Sequence, residues 1–412
     1  MSSVYVVGVG MTRFGPQPDA SVKSLTRDAT SAAMSDCGLS CKDIEAAFFS
    51  NAMQGMVEGQ GSIPGQIALR AMGVEGIPVV NVENACASAS TAFWLSVNHI
   101  RSSAADVVLA VGAEKMVFAD AERRAKVIAA FDGGLDLDCA EATLRDLDAE
   151  GRGVTGPSGD GHRTSMMDIY AALCRAHMAK FGTTQRQLAV IASKNHGNAS
   201  LNERCHYNKP MNVEEVLAGR PLGYPLTVPM CSPLSDGGAA AILCSERMVD
   251  RIGARDRAVR IDACMLKSAT TRTWGDVESH VVRRAAQAAY EAAGLGPDDV
   301  SVAEVHDAAA FGELFMSEML GFCEPGGGGP LADSGATTIG GRIPINPSGG
   351  LESKGHPIGA TGLGQIFELT TQLRGEAGRR QVEGARFAIQ ENGGAFLGVE
   401  EGAAVITILS RP

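Results

Sequence analysis

Two segments far apart in this sequence repeat the same pattern. Residues 33–39 form an alanine-rich stretch that reaches a glycine, and an Asp-Ile pair and the apolar run 46–50 follow it. Residues 289–295 also reach a glycine, and an Asp-Val pair and the run 302–305 follow. Each segment predicts a helix that glycine ends at the C-cap, then a short turn and a strand. Strands that alternate with helices predict parallel βαβ units with helices on both sheet faces.

The correspondence continues beyond these segments, with a growing offset. Asn81 at the end of one predicted strand matches Asn346 at the end of another, and the strand 107–112 matches 387–390. An internal duplication of this length predicts two similar α/β halves.

A different stretch separates the halves. It is charged and contains glycine-rich turns, although helices are predicted at about 165–181 and 184–196. We predict an N-terminal half made of residues 1–117 and 232–258, an inserted loop or cap domain at 118–231 that shapes a substrate tunnel, and a C-terminal half at 259–412.

Charge and cysteine content limit the partners and the compartment. The net charge of −11, with no long run of Lys or Arg, argues against nucleic acid and against anionic membrane surfaces. No stretch is long and apolar enough to span a bilayer. The ten cysteines contain no C-x-x-C pair, so reduced thiols fit better than disulfides or a zinc site. Without a basic signal region at the start or a peroxisomal address at the end, we expect a cytoplasmic protein.

Cys86 lies between an apolar β-branched run, 79–82, and a run of small residues, 87–90. This pattern predicts a buried strand that turns sharply into the N-terminus of a helix. A thiol there faces unpaired N–H groups and the positive helix end, which stabilise a thiolate and lower its pKa, as a nucleophile requires. The alternative is a small buried apolar residue, which is the usual role of a free cysteine.

His356 is held between Gly355 and Pro357 in the glycine-rich stretch 346–362. Glycine allows a tight backbone path and proline fixes φ at a first helical turn, so the imidazole is placed as a general base would be. The alternative is a phosphate loop or a plain turn. Neither G-K-[ST] nor G-x-G-x-x-G after a strand is present, so a phosphate cradle is weakly supported.

The pair His306-Asp307 ends the second copy of the duplicated strand. Residues at the carboxyl ends of parallel strands face the crevice where ligands bind, so this pair could polarise a carbonyl or orient a water. The alternative, equally open, is a pair that caps the next helix. His162, in the glycine-rich loop of the insertion, is interpreted as solvated.

Together these segments resemble the thiolase family, in its sterol-carrier-protein-type branch. The similarity covers essentially the whole chain and includes the stretches 181–189, 194–202 and 232–240. The resemblance implies an α/β fold with a thiolase-like, duplicated five-layer α-β-α-β-α architecture and an inserted loop domain.

The resemblance also implies roles for single residues. Cys86 matches the nucleophile that carries the acyl group as a thioester, and His356 matches its base. His306 matches a position in the oxyanion site. Ser232 matches a position near the pantetheine arm of coenzyme A, and Gly355 is assigned to the same cofactor-binding group. Coenzyme A is then a co-substrate, with no bound cofactor and no metal.

One departure from the family matters. Many thiolases carry a second catalytic cysteine in a C-x-G motif near the C-terminus, whereas the matching stretch here is 389–395 and has none. Glu391 and its neighbour Asn392 are therefore added to the catalytic candidates. The proton transfer is left to Glu391, His306, His356 or a water, and Glu391 could equally be a polar turn residue.

The leading hypothesis is an acyltransferase that cleaves or forms a 3-ketoacyl-CoA through an acyl-Cys86 intermediate. The acyl chain could be branched, a sterol side chain or aryl. Acyl transfer to a non-CoA acceptor, aldol cleavage of a 3-hydroxyacyl-CoA and a non-catalytic scaffold or lipid carrier are the alternatives. By resemblance we expect a homodimer core, with a small zinc-ribbon/OB-fold protein as a further partner.

Overall fold

The computed structural model describes residues 3–159 and 164–411. Strands in this part of the chain are β1 Val4–Met11, β2 Ala46–Ser50, β3 Val79–Val82, β4 Val107–Glu114, β5 Gly237–Ser245, β6 Val259–Ser268, β7 Val302–Glu304, β8 Phe387–Gly394 and β9 Ala403–Ser410. Helices are α1 Val22–Cys37, α2 Gln54–Glu58, α3 Pro64–Arg70, α4 Ser88–Arg101, α5 Ala121–Ala130, α6 Leu137–Glu150, α7 Ser165–Phe181, α8 Gln185–Ala199, α9 Val213–Leu217, α10 Glu246–Arg251, α11 Val281–Ala293, α12 Ala310–Met319, α13 Gly328–Asp333, α14 Gly350–Lys354 and α15 Thr361–Arg374.

The strands form a nine-stranded sheet in the order β3-β2-β4-β5-β1-β6-β9-β8-β7. In the first half β2 runs parallel to β3 and β4, and β5 runs antiparallel to β4 and β1. In the second half β7 runs parallel to β8, and β9 runs antiparallel to β8 and β6. The two halves therefore share one topology, which confirms the predicted duplication, and within the described sheet a short pairing of β1 with β6 connects them.

The matched positions also occupy equivalent places. β4 and β8, which contain the predicted strands 107–112 and 387–390, each lie parallel to the second strand of their half. Asn346 directly follows Ile345, and Ile345 makes a parallel bridge to Ala303 of β7. In the first half, β3 pairs with β2 in the same parallel way. Gly38 and Gly294 end α1 and α11 in the left-handed conformation, as the sequence predicts.

Five layers result from the helix packing. α1 covers one face of β1, β4 and β5, and α11 covers one face of β6 and β9. Between the two halves of the sheet, α4 and α15 pack on each other and on strands of both halves. A buried cluster around Phe93 of α4 and Ile366 of α15 forms this central core. The predicted α-β-α-β-α architecture is confirmed.

The insertion is more helical than its sequence indicates. α7 spans the predicted 165–181, and α8 starts after the cap Thr184 and runs three residues beyond His196. The sequence holds little signal for α5 and α6 because most of their residues are exposed and few form an apolar face; Leu147 is the one buried residue of α6. The boundaries at 117, 231 and 258 stay predictions.

The strand before Cys86 is not buried as predicted. β3 lies at the edge of the sheet with β2 as its neighbour, and Val80 is 44% exposed. Val80 therefore faces solvent, whereas Val82 at the end of the strand is buried. No helix in the described part of the chain combines the length and the apolar character that crossing a membrane requires.

Candidate active site

A strained turn presents Cys86. One turn of 3-10 helix, Ala85–Ala87, connects the end of β3 to α4, and Ala85 has a φ of 47°, in the left-handed region that non-glycine residues rarely adopt. The turn is fixed locally, because Glu83 Oε1 accepts the N–H of Ala85 at 2.6 Å and Ser88 Oγ accepts that of Asn84 at 2.8 Å. Strain held by neighbouring hydrogen bonds is typical of functional turns.

His356 contacts this cysteine directly. Its Nε2 lies 3.2 Å from Cys86 Sγ, although the two residues are 270 positions apart. Its Nδ1 lies 2.6 Å from Thr361 Oγ1, and that hydroxyl donates its single proton to Pro357 O at 3.0 Å. Nδ1 must then be the donor to Thr361, which leaves the lone pair of Nε2 facing the thiol. This is the tautomer that a general base requires.

Both halves of the chain hold the turn that carries His356. Gly359 O accepts from Ser50 Oγ at 2.5 Å, and Gly359 N donates to Glu114 Oε2 at 3.0 Å. Glu114 lies at the end of β4 and accepts three more N–H groups, those of Asn51 Nδ2, Ala52 N and Met53 N. Burial raises the pKa of Glu114 to about 7, while these donors act to lower it.

His306 completes the cluster. It follows β7, its ring centroid lies 5.3 Å from that of His356, and the residue is 4% exposed. Its Nε2 is buried and has no hydrogen-bond partner within the described ranges. Its backbone N–H donates to Glu391 Oε2 at 2.8 Å. An unpartnered ring nitrogen beside the thiol is available to a substrate atom.

Asp307, the second residue of the pair, does not cap the next helix. The N-cap of α12 is Ala309 and it has no side-chain cap bond. Asp307 instead accepts from Leu351 N at 2.7 Å and from Asn195 Nδ2 at 3.1 Å. It therefore ties the strand end that carries His306 to the segment that leads to His356.

Burial sets the charge state of the cluster. It raises the pKa of the Cys86 thiol to about 12, and the nearby carboxylates of Glu83 and Glu114 add to the rise. Backbone N–H groups around the thiol do act to lower this pKa, as expected, but desolvation outweighs them. Burial also lowers the pKa of His306 to about 4 and that of His356 well below its usual value. The resting site is a thiol with two neutral imidazoles.

A cavity of about 510 Å³ opens above the cluster. Its floor includes Cys86, His306 and His356, and Ser232 lies in its wall. The lining is mainly apolar: Phe131, Met166 and Met167 come from the predicted insertion, and Met53, Met116 and Phe396 come from the two halves. The substrate tunnel stays a prediction. Such a cavity suits an apolar chain with a few polar groups that orient it.

Comparison with known proteins identifies the family of the chain. Residues 4–215 match the family model described as "Thiolase, N-terminal domain", and residues 264–411 match "Thiolase C-terminal domain-like". This chain belongs to the thiolase family. Within the family, the sterol-carrier-protein-type branch that the sequence indicates is confirmed by its relatives.

Two relatives and one solved structure are similar to this chain over nearly its whole length. An acetyl-CoA acetyltransferase of Methanothermobacter thermautotrophicus is 37% identical, with all of both chains covered. Sterol carrier protein 2 of Oryctolagus cuniculus is 37% identical over 98% of this chain and 71% of its own length. The solved Ltp2-ChsH2(DUF35) aldolase has a TM-score of 0.76 and 21% identity, over 99% of this chain and 98% of its own.

Glu391 and Asn392, the candidates in the stretch 389–395, are buried in β8. Glu391 is a buried residue of β8, so it is not a polar turn residue, and its Oε2 contacts the backbone of His306. Burial and the neighbouring Glu401 raise the pKa of Glu391 to about 8. Asn392 accepts from Ser90 Oγ at 2.7 Å in the buried central layer. Neither residue is among those that line the cavity.

The two cofactor-binding candidates differ in placement. Ser232 lines the cavity, and its N–H donates to Ala308 O at 2.9 Å. Gly355 does not line it. Its φ of 105°, and the Ser235 hydroxyl that would lie 2.6 Å from an added Cβ, indicate a backbone role before His356. His162 lies outside the described residues.

Sequence reasoning missed four residues of this thiolase site. Glu114 ends a parallel strand, which is a signal that could have identified it, and Thr361 lies in the same motif as His356. Cys231 also lines the cavity, and Arg220 is the one Lys or Arg among its described lining residues. No local pattern distinguishes these last two, since each comes from an irregular part of the insertion.

Proposed function

We propose that this chain is a thiolase-type acyltransferase that cleaves or forms a 3-ketoacyl-CoA through an acyl-Cys86 thioester. The observation that carries the proposal is the 3.2 Å contact between Cys86 Sγ and the unprotonated Nε2 of His356 on the floor of an apolar cavity. His306 lies beside both groups, where a carbonyl oxygen would receive negative charge.

In the cleavage direction, His356 Nε2 takes the proton of the Cys86 thiol. The thiolate attacks the C3 carbonyl carbon, and a ring N–H of His306 donates to the oxygen that becomes negative. Collapse of this intermediate breaks the C2–C3 bond, leaves the acyl group on Cys86 and releases acetyl-CoA as its enolate. Because the resting thiol is strongly protonated, the adjacent base is essential to the first step.

We assign the C2 proton to His356 as well. The imidazolium formed in the first step holds one proton, and returning it to the enolate carbon balances the half-reaction. In the second half, His356 takes the proton of the CoA thiol, CoA attacks the acyl-Cys86 thioester, and the Cys86 thiolate leaves and regains a proton. In this scheme Glu391 positions His306, Asn392 supports the central layer, and neither residue touches the substrate.

Coenzyme A is the proposed co-substrate. Arg220 is exposed at the cavity wall and can pair with a phosphate of CoA, while Ser232 lies along the route of the pantetheine arm to Cys86. The methionine-rich wall favours a bulky apolar acyl chain over a short one. Such side chains adapt to branched and to ring-containing groups.

The assembly proposed for the chain is a homodimer, with a small zinc-ribbon/OB-fold protein as a further partner. The unpaired edge of β3, with Val80 exposed, supports the homodimer because a second copy could continue the sheet there. The structural neighbour named as a complex with a DUF35 component supports the second partner by analogy alone. A cytoplasmic location stays a prediction.

Intact-protein mass spectrometry tests the function. The chain is incubated with 3-ketoacyl-CoAs of differing side chain and with acetyl-CoA, beside the variant Cys86→Ala. An acyl adduct that the variant lacks supports the proposal. Turnover by Cys86→Ala at the unmodified rate, with no adduct in either protein, would point to aldol cleavage, which needs no acyl-enzyme.

A further inference from the structure

The three side chains on the cavity floor have the composition of a metal site. One ligand atom from each of Cys86, His306 and His356 lies within 4.8 Å of the other two. One sulfur and two imidazole nitrogens are ligands that Zn²⁺ binds tetrahedrally, at about 2.0–2.3 Å. The sequence predicts no metal site because these residues meet only in the fold.

A second observation concerns the ring nitrogens. Nε2 of His306 is buried and lacks a partner among the described groups, although buried polar atoms are normally paired. Among the described residues, the one hydrogen-bond partner of Nε2 of His356 is the thiol that would become its fellow ligand. Both nitrogens are therefore free to bind a cation without losing another hydrogen bond.

The surroundings of His356 match those of a zinc ligand. Metal-binding histidines almost always donate the other ring N–H to an oxygen, which fixes the ring and the tautomer. Thr361 Oγ1 takes that place at 2.6 Å from Nδ1, and Pro357 O fixes the hydroxyl in turn. The ring is thus already oriented for coordination through Nε2.

A fourth ligand has room to reach the cluster, because all three residues line the cavity. The cluster lies at the floor of the 510 Å³ cavity, so a water can complete the coordination. Three protein ligands with one open position is the arrangement of zinc sites that exchange their fourth ligand.

We propose that Cys86, His306 and His356 form a binding site for Zn²⁺, and that metal binding and acylation of Cys86 exclude each other. Binding breaks the S–H bond and forms an S–Zn bond; the proton leaves to the solvent and no electron is transferred. The sulfur lone pair that would attack a carbonyl is then occupied. The exclusion of acylation rests on the proposed function, whereas the binding itself does not.

Cobalt spectroscopy tests the binding. The full chain, freed of metal by a chelator, is titrated with Co²⁺. We expect a thiolate-to-cobalt charge-transfer band that saturates at one equivalent, is absent in Cys86→Ala and is weakened in His306→Ala. Cys231→Ala, which removes the other cysteine of the cavity wall, should keep the band. Circular dichroism checks that each variant is folded.

Alkylation of Cys86 provides a readout that needs no turnover. Saturating Zn²⁺ should slow modification by iodoacetamide at least tenfold, and a chelator should restore the rate. Thr361→Val should weaken Zn²⁺ binding by about 10- to 100-fold, because the ring loses its orienting oxygen. A band that survives Cys86→Ala, or no band and no protection, would overturn the site. A band without any acyl adduct would instead count against the proposed acyl transfer alone.

Discussion

The hydroxyl oxygen of Thr361 lies 2.6 Å from Nδ1 of His356, and its own proton is committed to Pro357 O. One hydroxyl thereby determines which nitrogen of the imidazole is free. The contact spans five residues of one motif, and it acts on a cysteine from the other half of the chain.

Two replacements of Thr361 should distinguish its role in orienting His356 from its role in packing. Thr361→Val keeps the shape but removes the acceptor, so the Nδ1 tautomer loses its preference and Cys86 is deprotonated less often. We expect the rate of Cys86 alkylation and of acyl-adduct formation to fall by about 100-fold. Thr361→Ser should keep most of both rates. Equal losses in the two variants would show that the methyl group, not the oxygen, is what matters.

Replacing Glu114 should lower both the stability of the fold and the reactivity of Cys86. In Glu114→Gln, the amide nitrogen faces two of the four N–H donors, which then lose their acceptor. The free energy of unfolding should fall by about 2–5 kcal/mol, measured by denaturant titration. Because Gly359 is one of the donors, Cys86 alkylation should slow as well. Glu58→Gln, at an exposed carboxyl, is the control and should leave both measurements unchanged.

Arg220 should affect only substrates that carry the CoA phosphates. With a CoA thioester, Arg220→Ala should raise KM by about 10- to 100-fold, because a charged hydrogen bond is lost. With the matching N-acetylcysteamine thioester, which lacks the phosphates, the variant and the parent should behave alike. Arg152→Ala, exposed elsewhere in the insertion, is the control. An equal effect on both thioesters would place Arg220 beside the acyl chain instead.

Glu391 should prove to be a positioning residue. Glu391→Gln keeps an oxygen that can accept the N–H of His306, so exchange of the C2 protons of acetyl-CoA with deuterated water should persist. Glu391→Leu removes that acceptor and should slow Cys86 alkylation and C2 exchange together. Loss of exchange in Glu391→Gln with unchanged alkylation would identify Glu391 as the catalytic acid and refute the single-base scheme.

The edge of β3 should support self-association. Val80→Lys places a charge on the unpaired edge, a change that blocks strand pairing in other sheets. Sedimentation should show a dimer for the parent and a monomer for this variant. Leu137→Lys, at another exposed apolar residue, should remain dimeric. A parent that sediments as a monomer at all concentrations would rule out this interface.

Much of the fold could be predicted from local sequence patterns. The glycines at 38 and 294 end helices because they adopt the left-handed conformation, and this preference is visible in the residue type itself. Cys86 and His306 could be selected because each follows a recognisable strand, and His356 because it lies between Gly355 and Pro357. The exposed edge of β3 could not be predicted, since it depends on which strands become neighbours.

The charge state and the supports of the site depend on distant contacts. The pKa of Cys86 rises because the folded chain removes water from the thiol, which the helix end alone does not indicate. Glu114 and Gly359 are separated by 245 positions, and His177 and Glu318, paired at 3.1 Å in the interior, by 141. Spacing in the sequence holds no signal for such pairs.

The 270 positions between Cys86 and His356 also determine when the chain becomes reactive. During synthesis, Cys86 leaves the ribosome long before its base exists, and the contact closes only after the second half has been made. A nascent chain therefore carries an ordinary cysteine without a catalytic partner. The proposed acyl-transfer chemistry is therefore withheld until His356 has been made and folded, and products that end before it would be inert toward the cell's thioesters.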